Sequence, residues 1–582
     1  MSSTSRCSSK KKYNKIVNYF SLSAFNKYFA KKLGLTAIIG LAISLIFFPI
    51  LKVSSIHSSF FDLGIFESII YRIAQTNDFH LSLAAGHIHA FFPIYGWVYS
   101  LFPPSLAPYF LVGSQGILLA LPAYFLFRRF GLFVSFVYIS YYPVWANAFF
   151  DFHFDHLVVP LLFIFYLALL DRRIVLAIFS ATLLMLVKET LALQTLACGV
   201  FLLIVAFRNK SVWDEPVEKS VKYKLLAGSL WLIIFGGGYF IFATHYILPY
   251  YGFVDSVGFH GGSAFGWLGS SLTEMLSKII SSPHTIILKI LSTPGKLIYF
   301  IVAFGLLAFI PFFRPVLLIP ALPMMAIAML SESPEHYNYN SHYMAGLIAP
   351  LIMAFTLGLP QAKYFFSKLY KKFIFSIFYT CNKTSRNSSK RQEAIFRSRF
   401  YWFLGLFVLV GHILLSPSPI SRLFWSDKVW SYSWQAFVPS HRDEMIKAAM
   451  KINVPVHSKI SVATQNTVNF THLAHRKLYL PFPLGIDEPY KLIDTSSQNW
   501  SDFLRFIKTG YKTKNITIDR YADYVVLDLK RPYFLLDRGC HWLYGECVDK
   551  IMETRFLEWV TFTQTRYDKV FENDGFMILR RQ

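Results

Sequence analysis

Long apolar runs alternate with short polar segments along most of the chain. The runs occupy residues 33–50, 106–127, 131–146, 156–170, 174–187, 190–207, 225–248, 297–313, 315–330, 343–359 and 401–415. Most of them approach the length that a helix needs to cross the hydrocarbon core of a bilayer. The pattern therefore predicts an α-helical polytopic membrane protein with about eleven transmembrane helices over residues 33–415.

The pattern differs in two places. Residues 52–105 mix polar and apolar positions, and we expect them to form a loop with one amphipathic helix at Gly64–Ala74 and a short interfacial or re-entrant helix within Ala90–Phe102. Residues 416–582 are more polar and predict a soluble α/β domain. Its expected elements are a helix at 441–452, strands at 459–464, 477–480 and 521–529, a further element at 556–563, and a hairpin turned at Asn573-Asp574-Gly575.

Composition and charge support the membrane assignment and add an orientation. Hydrophobic residues make up 54% of the 582 residues and charged residues only 15%, while the formal net charge is +24. The basic residues collect in the tail at 1–32 and in the segment 361–399, where the positive-inside rule would place cytoplasmic segments. We therefore expect a cytoplasmic N-terminus, with the loop 52–105 and the C-terminal domain outside. No basic face carries interleaved aromatic residues, which excludes a nucleic-acid partner.

The segment from Phe149 to His156 places Asp151, His153, Asp155 and His156 between two apolar runs. A strand would put the first three on one face, whereas a helix would pair Asp151 with Asp155 and His153 with His156. Ionisable groups next to hydrocarbon are costly and often functional. We predict a site for a metal, a proton relay or a phosphate at Asp151, His153 and Asp155. The alternative is an interfacial loop anchored by its phenylalanines.

Alternating the spans across the bilayer brings other polar residues to the same outer side. They are Asp62, His87, His89, Lys188, Glu189, His342 and Tyr343. Each also has a structural interpretation: Asp62 as a helix N-cap, Lys188 as a snorkelling lysine, and the histidines and Tyr343 as interfacial anchors. Their shared side indicates one polar chamber.

Several segments, taken in order, resemble a known family. They are Phe61-Asp62-Leu63-Gly64-Ile65-Phe66, His89-Ala90-Phe91-Phe92-Pro93-Ile94, Phe150-Asp151-Phe152-His153, Leu186-Val187-Lys188-Glu189, His342-Tyr343 and Ala522-Asp523-Tyr524-Val525-Val526-Leu527-Asp528. The chain resembles, from about Phe60 to Leu529, the prokaryotic predicted membrane proteins catalogued as domain of unknown function 2079. That family is distantly similar to the GT-C membrane glycosyltransferases.

The resemblance implies a GT-C-like enzyme in the cytoplasmic membrane of a prokaryote, moving a sugar from a polyprenyl-phosphate donor to an acceptor of unknown identity at the outer face. It implies Asp62 as the catalytic base in the first outer loop. The substrate or phosphate would then meet Lys188, Glu189, His342, Tyr343, His87 and His89. Magnesium or manganese would be the divalent ion at Asp151, His153 and Asp155. The chain departs from the commonest pattern, because the next carboxylate after Asp62 is Glu67.

Two other functional classes fit the same residues. A proton- or metal-coupled transporter or flippase would use the acids and histidines as a relay, although such proteins place these groups near the midplane and show internal repeats. A non-catalytic membrane scaffold would present the C-terminal domain to a partner. Within that domain, Cys540 and Cys547 are close enough in sequence to predict a disulfide if it lies outside the cytoplasm.

Overall fold

A computed structural model describes residues 24–77, 87–208, 212–213, 218–248, 262–378, 386–426, 433–455, 460–476, 478–483, 485–486, 521–531 and 550–582. Most of the basic tail at 1–32 and both Cys540 and Cys547 lie outside these residues. The described part consists of a large helical portion followed by a five-stranded sheet with flanking helices.

The helical portion contains helices of very different length. They are Ala24–Ser54, Ile65–Thr76, Phe92–Tyr99, Ala107–Phe130, Leu132–Ile139, Tyr142–Phe149, Val158–Leu170, Ile174–Val187, Ala192–Phe207, Lys219–Phe242, Gly262–Phe265, Leu272–Ser281, Pro283–Leu291, Pro294–Phe304, Leu322–Leu330, Ala345–Phe378 and Arg386–Leu415. The last two run through most of the segment 361–399, which the sequence indicated only as a basic connection.

Within the described residues, five helices are long and apolar enough to cross a membrane: Lys32–Ser54, Ala107–Phe130, Glu189–Phe207, Lys219–Ile247 and His342–Leu369. The pair Pro283–Leu291 and Pro294–Leu307, bent by 85°, adds a sixth if it forms one span, and four shorter apolar helices accompany them. Every expected run except Gly131–Ala146 overlaps one of these segments. Large exposed side chains such as Val175 and Phe179 suit a lipid-facing surface.

The run Gly131–Ala146 is divided into two helices of eight residues, Leu132–Ile139 and Tyr142–Phe149. Pro143 stands in the first turn of the second helix, and Tyr141 before that helix is extended. Proline has no N–H for a continuing helix and fits best in a first turn. The expected span is therefore a broken pair that ends beside Asp151.

The C-terminal sheet has the strand order β2-β1-β3-β5-β4. The strands are β1 at Ser461–Thr464, β2 at Leu478–Pro481, β3 at Tyr524–Asp528, β4 at Tyr567–Asn573 and β5 at Phe576–Arg581. β1 pairs in parallel with β2 and β3, whereas β5 is antiparallel to β3 and β4. The helices are His441–Asn453, Thr471–Ala474 and Lys550–Gln564. The α/β character is confirmed, and the segment 556–563 is helical.

The expected hairpin turn lies between β4 and β5. Asp574 and Gly575 have φ values of 51° and 80°. Two successive positive φ values are the signature of the tight turn that Asn-Asp-Gly sequences favour.

The sheet domain packs directly onto the segment after the first long helix. Ile56 and Phe60 are buried in one cluster with Ile446, Val462 and Val526. Asn466 accepts a hydrogen bond from Phe60 N at its carbonyl, 2.8 Å, and one from Phe61 N at its Oδ1, 2.9 Å. The core of the domain therefore includes residues from near the beginning of the chain, which fixes the position of the backbone on both sides of Asp62.

Asp62 itself lies in a π-helical turn, Phe60–Gly64, that leads into the amphipathic helix Ile65–Thr76. A Cβ atom on Gly64 would meet Asn469 Oδ1 at 2.8 Å, so only glycine allows this close approach. Short π-helical turns inside helices are often found at functional sites. The amphipathic helix predicted at 64–74 is confirmed.

Candidate functional site

The segment 151–157 is neither a continuous strand nor a continuous helix. Residues 151–153 are extended, and Phe154–Leu157 forms a 3-10 turn whose N-cap is His153. Phe152 and Phe154 are completely buried in the aromatic core, which holds the turn in place. His156 is satisfied on both sides, with Nδ1 2.6 Å from His153 O and Nε2 3.2 Å from the Tyr95 hydroxyl. His156 is therefore structural, and His153 and Asp155 point elsewhere.

His153, Asp155 and His342 form one buried cluster. Asp155 Oδ2 lies 2.9 Å from His153 Nδ1 and 3.2 Å from His342 Nε2. The two imidazole rings are stacked, with centroids 3.7 Å apart and an angle of 10° between their planes. Neither ring nitrogen of His342 is aligned for a hydrogen bond to any group of the described residues. Burial lowers the pKa of His153, so its neutral, ligand-competent form is favoured although Asp155 opposes the shift.

The donor set of this cluster fits a divalent metal ion. Each of the three residues offers one ligand atom, and these atoms lie within 4.8 Å of one another. His342 is the residue that most needs a partner, because buried nitrogen atoms without a hydrogen bond are rare and costly. Two imidazoles and one carboxylate suit manganese, iron or zinc better than magnesium, which prefers oxygen ligands.

Asp151 does not belong to this cluster. Its Oδ1 forms a buried ion pair with Lys52 Nζ at 3.0 Å, and its Oδ2 accepts a hydrogen bond from Ser59 N. Lys52 also donates to Phe149 O at 3.0 Å. The structure therefore groups His342, and not Asp151, with His153 and Asp155. Asp151 instead connects the broken helix pair to the segment that carries Asp62.

Asp62 lies close to Asp151 because both carboxylates accept hydrogen bonds from Ser59. Ser59 Oγ donates to Asp62 Oδ2 at 3.2 Å, while Ser59 N donates to Asp151. Burial of the carboxyl group, together with the negative charge of Asp151, raises the pKa of Asp62 to about 8. Asp62 is not the N-cap of a helix, since Ser59 occupies that position. A carboxyl group with such a pKa can exchange a proton near neutral pH.

Lys188 and Tyr343 lie next to the histidine cluster. Lys188 is 6% exposed, and its Nζ lies 5.8 Å from the centre of the Tyr343 ring, whose centroid is 4.3 Å from that of His342. Among the described residues, none accepts a hydrogen bond from Lys188. Asp62 and Asp155 both act electrostatically on Tyr343, and the Lys188 charge acts on Asp155 and His153. Tyr343 thus contacts the ammonium and the histidine cluster and lies within electrostatic range of the predicted base.

Glu189, His87 and His89 hold a loop against the chamber. Glu189 lies 2.7 Å from His87 Nδ1 and accepts from Ile88 N at 3.0 Å. His89 Nδ1 lies 2.7 Å from Val187 O, while its Nε2 is buried without a hydrogen-bond partner among the described residues. Burial, with His87, His153 and Lys188 nearby, lowers the pKa of His89 to about 3, so the ring is neutral. Its Nε2 therefore carries a lone pair, and the ring packs against Phe66, Phe154 and His153.

Sequence reasoning missed two lysines. Lys52 neutralises Asp151. Lys296 is buried, and its Nζ lies 5.5 Å from the centre of the Tyr337 ring without a hydrogen-bond partner among the described residues. Both stand at an end of an apolar helix, where a lysine usually extends to the membrane surface. The sequence signal was a lysine next to an apolar segment. That signal does not distinguish a lysine that extends to the membrane surface from one that points into the protein.

Comparison with known proteins gives one family and a low-similarity structural match. No curated protein matches the chain. The crystal structure of ArnT from Cupriavidus metallidurans in the apo state aligns over 94% of this chain and 98% of its own, with 13% sequence identity and a TM-score of 0.40. The family of predicted membrane proteins DUF2079 matches residues 52–501, and the chain belongs to that family.

Proposed function

We propose that the protein is a membrane glycosyltransferase of GT-C-like architecture that moves a sugar from a polyprenyl-phosphate donor to an acceptor at the outer face of a prokaryotic cytoplasmic membrane. The observation that carries the proposal is the position of Tyr343, which has Lys188 on its ring and both Asp62 and Asp155 as electrostatic neighbours. A transfer reaction with a phosphate leaving group requires a base, a cation and groups that hold the phosphate or a metal ion around one point.

In this reaction, the acceptor hydroxyl oxygen attacks the anomeric carbon of the sugar as the bond from that carbon to the phosphate oxygen breaks. Asp62 takes the proton of the hydroxyl, and its pKa of about 8 makes it a stronger base than an ordinary aspartate. The departing phosphate carries the new negative charge. Lys188, which has no hydrogen-bond acceptor among the described residues, meets that charge as a point cation.

The other residues orient the donor. His153, Asp155 and His342 would hold a divalent ion such as manganese, which would polarise the phosphate oxygens as a Lewis acid. His89 Nε2 would accept a hydrogen bond from a sugar hydroxyl, and Glu189 keeps the His87–His89 loop closed over the chamber. Asp151 remains paired with Lys52 and keeps Ser59 aimed at Asp62.

The test is reconstitution of the purified full chain in liposomes with radiolabelled sugar on polyprenyl phosphate and a membrane extract as the source of acceptors. Asp62→Asn should reduce transfer at least about 100-fold, the scale of general base catalysis. Asp171→Asn is the matched control, because Asp171 is exposed and pairs only with Arg129. Equal transfer by wild type and Asp62→Asn would contradict the proposal.

The same liposomes separate transfer from transport. If labelled lipid crosses the bilayer without any release of its sugar, and Lys188→Gln stops that movement, the flippase alternative is correct. Release of the sugar in detergent, where there are no two sides, would exclude a pure transporter.

A further inference from the structure

Another buried cation, Arg476, lies in the C-terminal domain. Arg476 follows the short helix Thr471–Ala474 and is only 2% exposed. Its neighbour His475 connects it to the helical portion, since His475 Nε2 lies 2.7 Å from the Tyr99 hydroxyl and its ring stacks on Tyr71 with centroids 4.1 Å apart.

One edge of the Arg476 guanidinium has no partner in the described part of the chain. Nη1 donates to His475 O at 3.4 Å, whereas Nε and Nη2 make no hydrogen bond to any described residue. These two N–H groups form the fork with which arginine binds carboxylate or phosphate oxygens in pairs. No carboxylate of a described residue lies within ion-pair distance of Arg476. A buried guanidinium left in this state is costly unless a ligand completes it.

A tyrosine hydroxyl accompanies the fork. Among the described residues, the Tyr71 hydroxyl is the group that acts electrostatically on Arg476. The imidazole of His475 has other partners, since its Nε2 lies near Glu67 and Tyr99. The site therefore provides a hydroxyl together with two parallel donors.

We propose that Arg476 binds a phosphate group through Nε and Nη2, at a site separate from the proposed catalytic chamber. The Tyr71 hydroxyl, which acts electrostatically on Arg476, gives a further hydrogen-bond donor. The proposal does not depend on the glycosyltransferase assignment, because it follows from the unpartnered donors alone.

The position of the site allows two sources for that phosphate. The helix Phe92–Tyr99, whose Tyr99 hydroxyl contacts His475, exposes Ile94 at 54% and Trp97 at 68%. Exposed apolar and tryptophan side chains are typical of a helix at a membrane interface. The phosphate can therefore come from a lipid headgroup at that interface or from a free phosphate in solution.

Thermal unfolding of the purified full chain tests the site in a maltoside detergent, which contains no phosphate. One arm adds inorganic phosphate, with chloride at equal ionic strength as its control. The other arm adds phosphatidic acid, with diacylglycerol as its control. Arg476→Gln removes the fork, Arg476→Lys keeps the charge without the fork, and Arg422→Gln is the matched control, because Arg422 is exposed.

Phosphate or phosphatidic acid should raise the unfolding temperature of the wild type and of Arg422→Gln. Arg476→Lys should bind about 10-fold more weakly or worse, and Arg476→Gln should not respond. A response to phosphatidic acid alone identifies a lipid headgroup, and a response to inorganic phosphate identifies a free phosphate. The proposal is overturned if neither compound affects the wild type, or if Arg476→Lys and the wild type respond equally.

Discussion

Arg531 in the sheet domain and His342 at the start of a membrane helix are both more than nine-tenths buried. They differ in how many hydrogen bonds their polar groups make. Arg531 donates to Ile56 O at 2.6 Å, to Thr467 O at 3.0 Å and to Asp443 at 2.7 Å, and its Nε lies 3.2 Å from Asp528. His342 stacks on His153 and lies near Asp155, yet neither of its nitrogens makes a hydrogen bond with a residue that the structure describes.

The difference separates charges that stabilise the fold from polar groups that we propose to bind a ligand. In the Arg531 network every charge has a protein partner, and the same side chain joins the sheet domain to the segment that carries Asp62. Around Tyr343, an ammonium, an imidazole and a carboxyl group stay incompletely bonded in a buried setting. Folded proteins rarely leave buried polar atoms unpaired without a functional reason. Mutation in the Arg531 network should therefore lower stability. Mutation around Tyr343 should instead lower ligand binding and leave stability nearly unchanged.

The largest effect on stability is expected at Arg531. Arg531→Met leaves Asp443 buried without its cation and removes the bond to Ile56 O, so the free energy of unfolding should fall by about 3–5 kcal/mol. Thermal unfolding followed by fluorescence measures this change. Arg422→Gln, at an exposed position, serves as the control, and a similar loss in both variants would remove the contrast.

At His342 the expected loss is in metal binding. His342→Phe preserves a ring that can stack on His153 but removes both nitrogens, so manganese affinity should fall more than about 100-fold. The free energy of unfolding should change by less than about 1 kcal/mol, because the removed groups have no hydrogen bonds to lose. Calorimetric titration with manganese measures the affinity. Unchanged binding would show that the cluster is only structural.

Asp62 should give stability a distinct pH dependence. Its native pKa of about 8 exceeds the ordinary value of 3.8, so the native state holds this proton more tightly than the unfolded chain. The stabilisation is complete below pH 3.8 and is lost as the pH rises toward 8, by at most about 1.4 kcal/mol per pH unit. Asp62→Asn should abolish this decline in unfolding scans between pH 5 and 8. Parallel profiles for both proteins would contradict the raised pKa.

The smallest effect is expected from an ion pair at the surface of the sheet domain, between half-buried Lys447 and exposed Glu444. Lys447 contacts Glu444, three residues earlier on the same helix, at 2.6 Å. Lys447→Ala should change the free energy of unfolding by less than about 0.5 kcal/mol. A loss comparable to that of Arg531→Met would mean that charge in general, and not burial with full pairing, stabilises this domain.

Sequence alone was sufficient where local pattern determines structure. Hydropathy located the long helices, amphipathic spacing located Ile65–Thr76, and Asn573-Asp574-Gly575 identified the last hairpin. The pairing of His342 with His153 could not be read in this way, because no local pattern links residues so far apart in the chain. The pairing of Asp151 with Lys52 was hidden for the same reason.

The broken helix at 132–149 is an intermediate case. Pro143 is visible in the sequence, but a proline breaks a helix only where the helix would otherwise continue through it. The continuous apolar run 131–146 therefore predicted one span, whereas the structure has two short helices. The order of the sheet strands likewise depends on pairing between segments far apart in the chain, such as β1 with β3.

The π-helical turn Phe60–Gly64 makes the geometry around Asp62 sensitive to chain length. Such a turn contains one residue more than the α-helical path between the same ends. Deletion of a single codon within it would return the turn to α-helical winding and rotate the preceding residues by about 100° relative to the following helix. Asp62 would then face away from Ser59 and Asp151 although every side chain of the chamber remained. During evolution, the insertion or loss of one residue here would therefore assemble or disrupt the proposed site around Asp62 in one step.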